Sequence, residues 1–176
     1  PLADPLGADR LARRLERWPG LRLEDFLLLR EGGRIVACCA PWDPEPGGKR
    51  TRVHAYGPST KWTARAARGL AALTRRAPPP RPGEAFRFAF LSHLEVEDDD
   101  PRRLSDLLRA AERHLRGRGL HFMSALVPSG SPLEAGFLGF LTTRTPMTLY
   151  AVTLPDGPWA DEDFATARPG FEIALS

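Results

Sequence analysis

One stretch, residues 86–127, constrains the fold of this chain more than any other. It contains an apolar run over 86–96, a short acidic turn, a helical pattern that begins at Asp100-Pro101 and stops at Gly117–Gly119, and a second apolar run. Aspartate before proline is typical of a helix start, and glycine of a helix end. The stretch therefore predicts a strand–helix–strand crossover with parallel strands, and a ligand-binding edge beside the strand–helix turn.

The helix of this crossover is predicted to be amphipathic. Five apolar residues recur at helical spacing and are expected to pack on the sheet: Leu104, Leu107, Leu108, Ala111 and Leu115. The charged residues fall mostly on the opposite side, toward water: Arg103, Asp106, Arg109, Arg113 and Arg116. The sequence thus predicts that this helix covers one face of a sheet.

Shorter patterns surround the crossover. Two apolar runs, 26–30 and 34–42, flank Glu31-Gly32-Gly33 and predict a β-hairpin. The further predicted elements are a helix from Asp9 to Trp18, a short strand or extended arm over 51–56, a helix from Ser59 or Thr60 through Arg76, a short helix over 131–140, a strand over 148–154, and a surface-wrapping tail that ends in a weak strand. Together they predict an α/β (α+β) fold with a mixed sheet, a hairpin, a central crossover and flanking helices.

Size and cysteine usage restrict the class of protein. The chain has 176 residues, of which 42% are hydrophobic, enough for one domain or one domain with a small appendage. Because no apolar run could cross a bilayer and no signal peptide is recognisable, we expect a cytoplasmic protein without membrane contact. Cys38 and Cys39 are adjacent in a predicted strand, point to opposite faces and cannot form an ordinary disulfide. Pro1 in place of an initiator methionine suggests a piece of a longer polypeptide.

The segment from 49 to 84 is strongly basic, with nine lysines and arginines against Glu84 alone. Three interpretations are open at this point. The apolar residues of its helix pack inward and the charges face water; or the segment binds the phosphates of a nucleotide-like cofactor; or its aromatic residues, including Tyr56, stack along a nucleic acid. The apolar residues concerned are Trp62, Ala66, Leu70 and Leu73.

The order of elements resembles the later part of the GNAT acetyltransferase fold. SHLEV at 92–96 is similar to the strand that, in this family, diverges from its neighbour and exposes backbone amides to pantetheine. LEAGFLGF at 133–140 followed by TLYAV at 148–152 is similar to the family's helix, Gly-Phe and returning strand. WDPEPGGKRTRVHAY after the hairpin and LPDGPW after Tyr150 resemble bacterial proteins with two GNAT-type domains in tandem.

The resemblance implies a division of the chain. Residues 1–25 are the N-terminal helix and lead-in, 26–154 the GNAT-like domain with its basic, proline-rich insertion at 43–84, and 155–176 the C-terminal tail. The implied partner is a preceding domain of the same polypeptide or a homodimer partner. Nucleic acid is not the expected partner.

The resemblance also implies a site for acetyl-CoA or another acyl-CoA, and no metal. Glu95, or His93 two residues earlier on the same face, would act as the catalytic base. The residues expected to lie against the cofactor are Leu94, Val96, Arg102, Arg103, Leu104 and Ser105.

The acidic turn departs from the family pattern. A GNAT diphosphate loop is an Arg or Gln followed by glycines that open the helix, whereas residues 97–105 contain no glycine and form a shorter loop. The acids at 97–100 would repel a diphosphate, and Ala135 stands where the family has its tyrosine. We therefore expect a GNAT-like domain with a degenerate acyl-CoA loop, the structural or substrate-shaping half of a two-domain N-acetyltransferase. An active acyl-CoA-dependent N-acyltransferase and a nucleic-acid-binding module that uses the basic insertion are the alternatives.

Overall fold

A four-stranded mixed sheet forms the centre of the computed structural model, which describes residues 8–74 and 77–148. β1 (Leu27–Glu31) and β2 (Arg34–Trp42) form the predicted hairpin. β3 (Phe88–Val96) pairs antiparallel with β2, and β4 (Phe122–Ser124) pairs parallel with β3. The predicted parallel pair and the mixed α/β class are confirmed.

Three α-helices accompany the sheet in the described part of the chain: α1 (Ala8–Glu16), α2 (Pro58–Thr74) and α3 (Pro101–Leu115). α3 is the predicted crossover helix, and all five of its predicted apolar residues are buried. Its leucines pack against Ala37, Cys39 and Leu91 of the sheet, and together they form the main core. The helical spacing of the leucines therefore identified the face that packs on the sheet.

A second, aromatic core holds the residues after α1. Trp18 packs edge-on against Trp42, with ring centroids 5.7 Å apart, and Trp42 stacks on Phe90 at 5.9 Å. The indole Nε1 of Trp42 donates a hydrogen bond of 2.8 Å to the carbonyl oxygen of Pro19. The indole ring thus buries its apolar surface while its polar atom keeps a hydrogen bond.

Residues 51–56 form an extended arm rather than a strand. The arm makes one isolated bridge to the chain ahead of β3. The Val53 N–H donates to the Glu84 carbonyl at 3.1 Å, and the Phe86 N–H donates to the Thr51 carbonyl at 2.8 Å. The arm is therefore tied to the start of β3 by its backbone, but it is too short to continue the sheet.

Two predicted elements around the crossover are shorter in the structure. The strand predicted over 120–127 is limited to β4, and the helix predicted over 131–140 is a 3-10 helix, Pro132–Phe137. Glycine is unfavourable inside a helix, and Gly139, with a φ of 89°, takes the left-handed conformation that ends one. The strand predicted over 148–154, the tail from 155 and residues 75–76 of the predicted second helix lie outside the described residues, apart from Thr148.

In helix α2 the structure contradicts the first interpretation, inward packing, for Trp62, Ala66 and Leu70, whereas the side chain of Leu73 lies outside the described part of the chain. Trp62 is 72% exposed and Leu70 is 59% exposed, and Ala66 is exposed as well. The buried residues are instead Ala64 and Ala71, on the opposite side of the helix. Ala64 and Ala71 allow close contact with the rest of the protein because they are small, and the larger Trp62 and Leu70 face solvent.

Within the described ranges, no helix has both the length and the apolar character needed to cross a membrane.

Gly136 is expected to be essential for the packing of the 3-10 helix on α3. A Cβ at this position would lie 2.8 Å from the Pro101 carbonyl oxygen and 2.9 Å from the Leu104 Cβ. Because the neighbouring backbone would have to move, Gly136→Ala should lower the free energy of unfolding by about 1–3 kcal/mol in urea denaturation followed by circular dichroism.

Gly69→Ala in α2 is the matched control, since a Cβ there would meet no atom within 4 Å. This substitution should raise the free energy of unfolding by about 0.5–1 kcal/mol, because glycine is unfavourable inside a helix. Equal effects of the two substitutions would contradict the close contact at Gly136.

Candidate functional site

The candidate site is the point where the pairing of β3 with β4 ends. The two strands pair only over Phe88–Phe90 and Phe122–Ser124, whereas β3 continues to Val96 beside β2. β4 ends at Ser124, opposite Phe90, and from Leu91 onward the described residues place no strand along this edge of β3, which leads toward the start of α3. The carboxyl ends of parallel strands are where open α/β sheets usually bind ligands.

A β-bulge shapes the β3 side of this site. The register of β3 against β2 shifts between Cys38 and Ala40, which leaves His93 and Leu94 opposite Cys39 alone. His93 has a φ of 51°, a left-handed conformation that is uncommon for a residue with a side chain. Strained residues and bulges of this kind are frequent beside binding sites.

The structure places the two predicted catalytic residues in different surroundings. The His93 ring lies in the aromatic core, with its centroid 5.7 Å from that of Trp18 and 5.2 Å from that of Phe26. Its Nδ1 is 3.1 Å from the Ser92 hydroxyl. The Glu95 side chain is exposed. His93 is therefore held in one orientation by its neighbours, while Glu95 faces solvent.

The two cysteines support the bulge from β2. The Cys38 Sγ donates a hydrogen bond of 3.5 Å to the His93 carbonyl. Burial raises the pKa of the Cys38 thiol, and the nearby charge of Glu95 raises it further. Cys39 is fully buried, and this burial raises its pKa to about 12. Both cysteines are free thiols that stay protonated at neutral pH, so neither has the character of a nucleophile.

The acidic turn is neutralised from within the protein by Arg103, whose side chain is 17% exposed. Its Nη2 is 3.0 Å from Glu31 Oε2. Its Nη1 lies 3.3 Å from Glu97 Oε2 and donates to the Glu97 carbonyl at 3.1 Å. Asp98 and Asp100 lie further out, at 3.5 and 3.9 Å. The hydrogen bond to Glu31, with the charges of Glu97 and Asp100, raises the pKa of Arg103.

The N-terminus of α3 already holds an anion of the chain itself. The Asp100 Oδ1 accepts a hydrogen bond of 2.8 Å from the Arg102 N–H, and Pro101 has no N–H to offer. The Leu104 N–H donates to the Asp100 carbonyl at 3.2 Å. A diphosphate at this helix end would therefore have to displace a carboxylate that already interacts favourably with the helix dipole.

The 3-10 helix after β4 packs on the same turn of α3. Its Gly136 is in contact with Pro101 and Leu104, and Leu133 is buried in the main core. Phe137 and Phe140 pack against that core as well. The first turn of α3 is thus covered on one side by protein.

The other residues predicted to contact a cofactor are spread over different surroundings. Leu94 and Val96 are half-buried against the main core, and Leu104 is fully buried within it. Arg102 is exposed and Ser105 is half-buried. The structure thus places Arg102 and Arg103 on the same turn, but only Arg102 points its charge to solvent.

Sequence reasoning missed Glu31 as the main counter-charge of Arg103. The two residues are 72 positions apart, and nothing in the sequence indicates that the hairpin turn and the start of α3 lie together. Arg34, also on the hairpin, pairs with Glu97. An open depression of about 250 Å³ is lined by Glu31, Arg34, Val36, Glu97, Asp98 and Arg103. Both of its arginines are engaged with carboxylates, and the described residues include no group of His, Cys, Asp and Glu that could hold a metal ion.

Comparisons with known proteins give only distant structural likenesses. No protein-family model matches the chain, and no curated protein sequence matches it. Wild-type TTHA1254 from Thermus thermophilus is similar in structure with a TM-score of 0.45 and 14% identity, covering 86% of this chain and 83% of that chain. An aminoglycoside acetyltransferase from an uncultured soil metagenomic sample has a TM-score of 0.45 and 13% identity, covering 86% of this chain and 76% of that chain. Neither likeness carries a ligand or an activity over to this chain.

Arg103→Ala is expected to destabilise the protein, because it leaves Glu31, Glu97 and two further carboxylates close together without their common cation. In low salt the urea midpoint of the variant should be lower than that of the wild type. In 1 M salt this difference should shrink, because the Debye length falls to about 3 Å and the repulsion between the carboxylates is screened. The control is Arg102→Ala on the exposed side of the same turn, which should leave the midpoint nearly unchanged. A loss from Arg103→Ala that is the same at all salt concentrations would show that the residue acts by packing alone.

The thiols of Cys38 and Cys39 are expected to be unreactive in the folded protein. Since burial raises the pKa of both, the thiolate is scarce at pH 8. Native protein should therefore react with a thiol reagent such as dithionitrobenzoate far more slowly than urea-unfolded protein, which should release two equivalents at once. Rapid reaction of either native thiol at pH 8 would contradict this assignment.

Proposed function

We propose that this chain is a GNAT-like domain with a degenerate acyl-CoA loop, and that it is the structural or substrate-shaping half of a two-domain N-acetyltransferase. The observation that carries the proposal is the engagement of Arg103. Of the two arginines that would meet a diphosphate, Arg103 is instead bonded to Glu31 and Glu97. The positive charge of Arg103 is therefore neutralised by carboxylates of the protein itself.

The surrounding groups oppose a diphosphate for two further reasons. The Asp100 carboxylate already accepts the hydrogen bond of the Arg102 N–H at the helix N-terminus. The turn also has no glycine, the residue that lets backbone amides approach a phosphate closely. Each close pair of like charges costs about 1 kcal/mol in water, and the turn presents four carboxylates. The turn therefore offers the diphosphate of acyl-CoA no favourable electrostatic contact, although the fold of the β3–α3–β4 crossover is kept.

A supporting role needs a surface for the partner half, and the hairpin offers one. β1 is an edge strand of the described sheet, with backbone groups available to a further strand. Leu28 in β1 is 46% exposed, and Ile35 in β2 is 51% exposed. A strand from the preceding domain, or from a homodimer partner, would extend the sheet here and cover both apolar side chains.

The alternative is an active acyl-CoA-dependent N-acyltransferase, and it is supported by the edge of β3 that continues past the end of β4, beside the bulge. In that case the acyl chain lies between the strands. The amine nitrogen attacks the thioester carbonyl carbon, the carbon–sulfur bond breaks, and the thiolate leaves. Glu95 or His93 takes the proton of the amine, and the exposed Arg102 meets the diphosphate.

Thermal unfolding with acetyl-CoA separates these two functions. A ligand at one hundred times its dissociation constant stabilises the native state by about 2.7 kcal/mol. We expect millimolar acetyl-CoA to leave the melting temperature of the wild-type chain unchanged. A clear rise that Arg102→Ala abolishes would reject the degenerate loop and support the active enzyme.

A variant with two glycines in the acidic turn tests, by the same thermal unfolding with acetyl-CoA, whether the acids prevent binding. Asp98 and Asp99 have φ values of 61° and 51°, so Asp98→Gly with Asp99→Gly suits the backbone and removes two negative charges. If the acids are the obstacle, this variant gains a melting shift with acetyl-CoA that the wild type lacks. Asp106→Asn, which removes an exposed acid further along α3, is the matched control and should gain none.

A further inference from the structure

A cavity lies at the start of β3, at the opposite end of this strand from the acidic turn. Its volume is about 70 Å³, roughly the space of two water molecules. Its lining comes from the loop and arm that follow β2, between residues 43 and 52, and from residues 85–88. The cavity shares no lining residue with the depression beside Arg103, so it is separate from the candidate site.

One end of this cavity is already neutralised within the protein. The Arg87 Nη2 is 2.9 Å from the Asp43 Oδ2, and the Arg87 Nε is 3.0 Å from the Glu45 Oε2. The Arg87 Nη1 donates a hydrogen bond of 2.9 Å to the Arg118 carbonyl. All three guanidinium nitrogens of Arg87 therefore lie against oxygens of the protein, and this arginine braces the cavity instead of offering its charge to a ligand.

The other end of the cavity carries cations without counter-ions. Lys49, Arg50 and Arg52 line it, and none of the three forms an ion pair with a carboxylate of the described residues. The Lys49 ammonium lies 5.4 Å from the centroid of the Phe90 ring, and the Arg52 Nη1 donates to the Gly83 carbonyl at 3.0 Å. Since the lining has four cations against two carboxylates, it favours an anion.

Backbone hydrogen bonds hold the cationic side of the cavity in place. The Phe86 N–H donates to the Thr51 carbonyl at 2.8 Å, which fixes the arm on the start of β3. The Lys49 N–H donates to the Pro44 carbonyl at 3.2 Å, which fixes the loop ahead of the arm. A site whose charged residues are already positioned loses less conformational entropy on binding.

We propose that this cavity binds a small monocarboxylate with a short apolar body, such as propionate. A carboxylate accepts paired hydrogen bonds from an arginine guanidinium, and Arg50 and Arg52 supply two such groups. Phe86 and Phe88 line the same cavity and give the carbon atoms of the ligand an apolar surface, as is usual in sites for small molecules.

The two carboxylates of the lining disfavour an anion of higher charge. Asp43 and Glu45 repel a dianion such as sulfate about twice as strongly as a monocarboxylate at the same distance. A bare inorganic anion also has no carbon atoms to cover the rings of Phe86 and Phe88. The mixture of cations, acids and phenyl rings therefore selects the carboxylate.

An NMR titration of the full chain with sodium propionate tests this site. The amide signals of Thr51 and Arg52 should shift and saturate at millimolar propionate, whereas the same concentration of sodium chloride should give no saturating shift. In Lys49→Gln/Arg50→Gln the half-saturation concentration should rise about tenfold or more, because the variant loses two charged partners of the carboxylate.

Two further variants separate the cavity from net charge. Lys61→Gln/Arg65→Gln removes the same charge from exposed residues of α2 that do not line the cavity, and it should leave the half-saturation concentration unchanged. Ala85→Leu enlarges a side chain of the lining without changing any charge, and it should abolish the saturating shift. Far-UV circular dichroism of each variant shows that it is folded.

A propionate shift that does not saturate in the wild type overturns the proposal, as does one that Lys49→Gln/Arg50→Gln or a folded Ala85→Leu leaves unchanged. Equal weakening by the α2 control would assign the effect to net charge and overturns it as well. Sulfate that shifts the same amides at equal or lower half-saturation would assign the cavity to inorganic anions and reject the carboxylate.

Discussion

The position of Arg103 in the acidic turn joins three parts of the chain that are distant in sequence. Its guanidinium bonds Glu31 at the end of β1 and Glu97 in the turn, and its backbone belongs to the first turn of α3. Without the Arg103 guanidinium, the carboxylates of Glu31 and Glu97 would repel each other. The cation therefore fixes the hairpin against the crossover at the end of the sheet where a ligand would enter.

This cluster replaces, within one chain, the interactions that a bound diphosphate would make. At a glycine-rich loop, an external anion accepts hydrogen bonds from the helix N-terminus. Here Asp100 accepts that bond and Arg103 supplies the opposite charge. The turn is complete without a ligand, and an incoming anion would gain little that the protein does not already have.

The parts of the fold that follow from local periodicity could be predicted from the sequence. The leucine spacing of α3, its Asp-Pro start and the glycine pair of the hairpin each act over a few residues, and the structure has all three. The exposure of Trp62 could not be predicted, because the helical pattern shows that apolar residues share a face but not which face meets the protein. The pairing of Arg103 with Glu31 depends on tertiary contact alone.

The bulge at His93 has a structural explanation that does not require catalysis. The left-handed residue is stabilised by the Cys38 thiol, which bonds its carbonyl, and by the packing of its ring on Trp18 and Phe26. Because the bulge adds one residue to β3, the strand bends at His93 and Leu94, beyond Phe90, the last residue that pairs with β4. Near the end of β3, Arg103 pairs with Glu31 and Glu97, so an anion that approached the acidic turn would meet charges already paired within the protein.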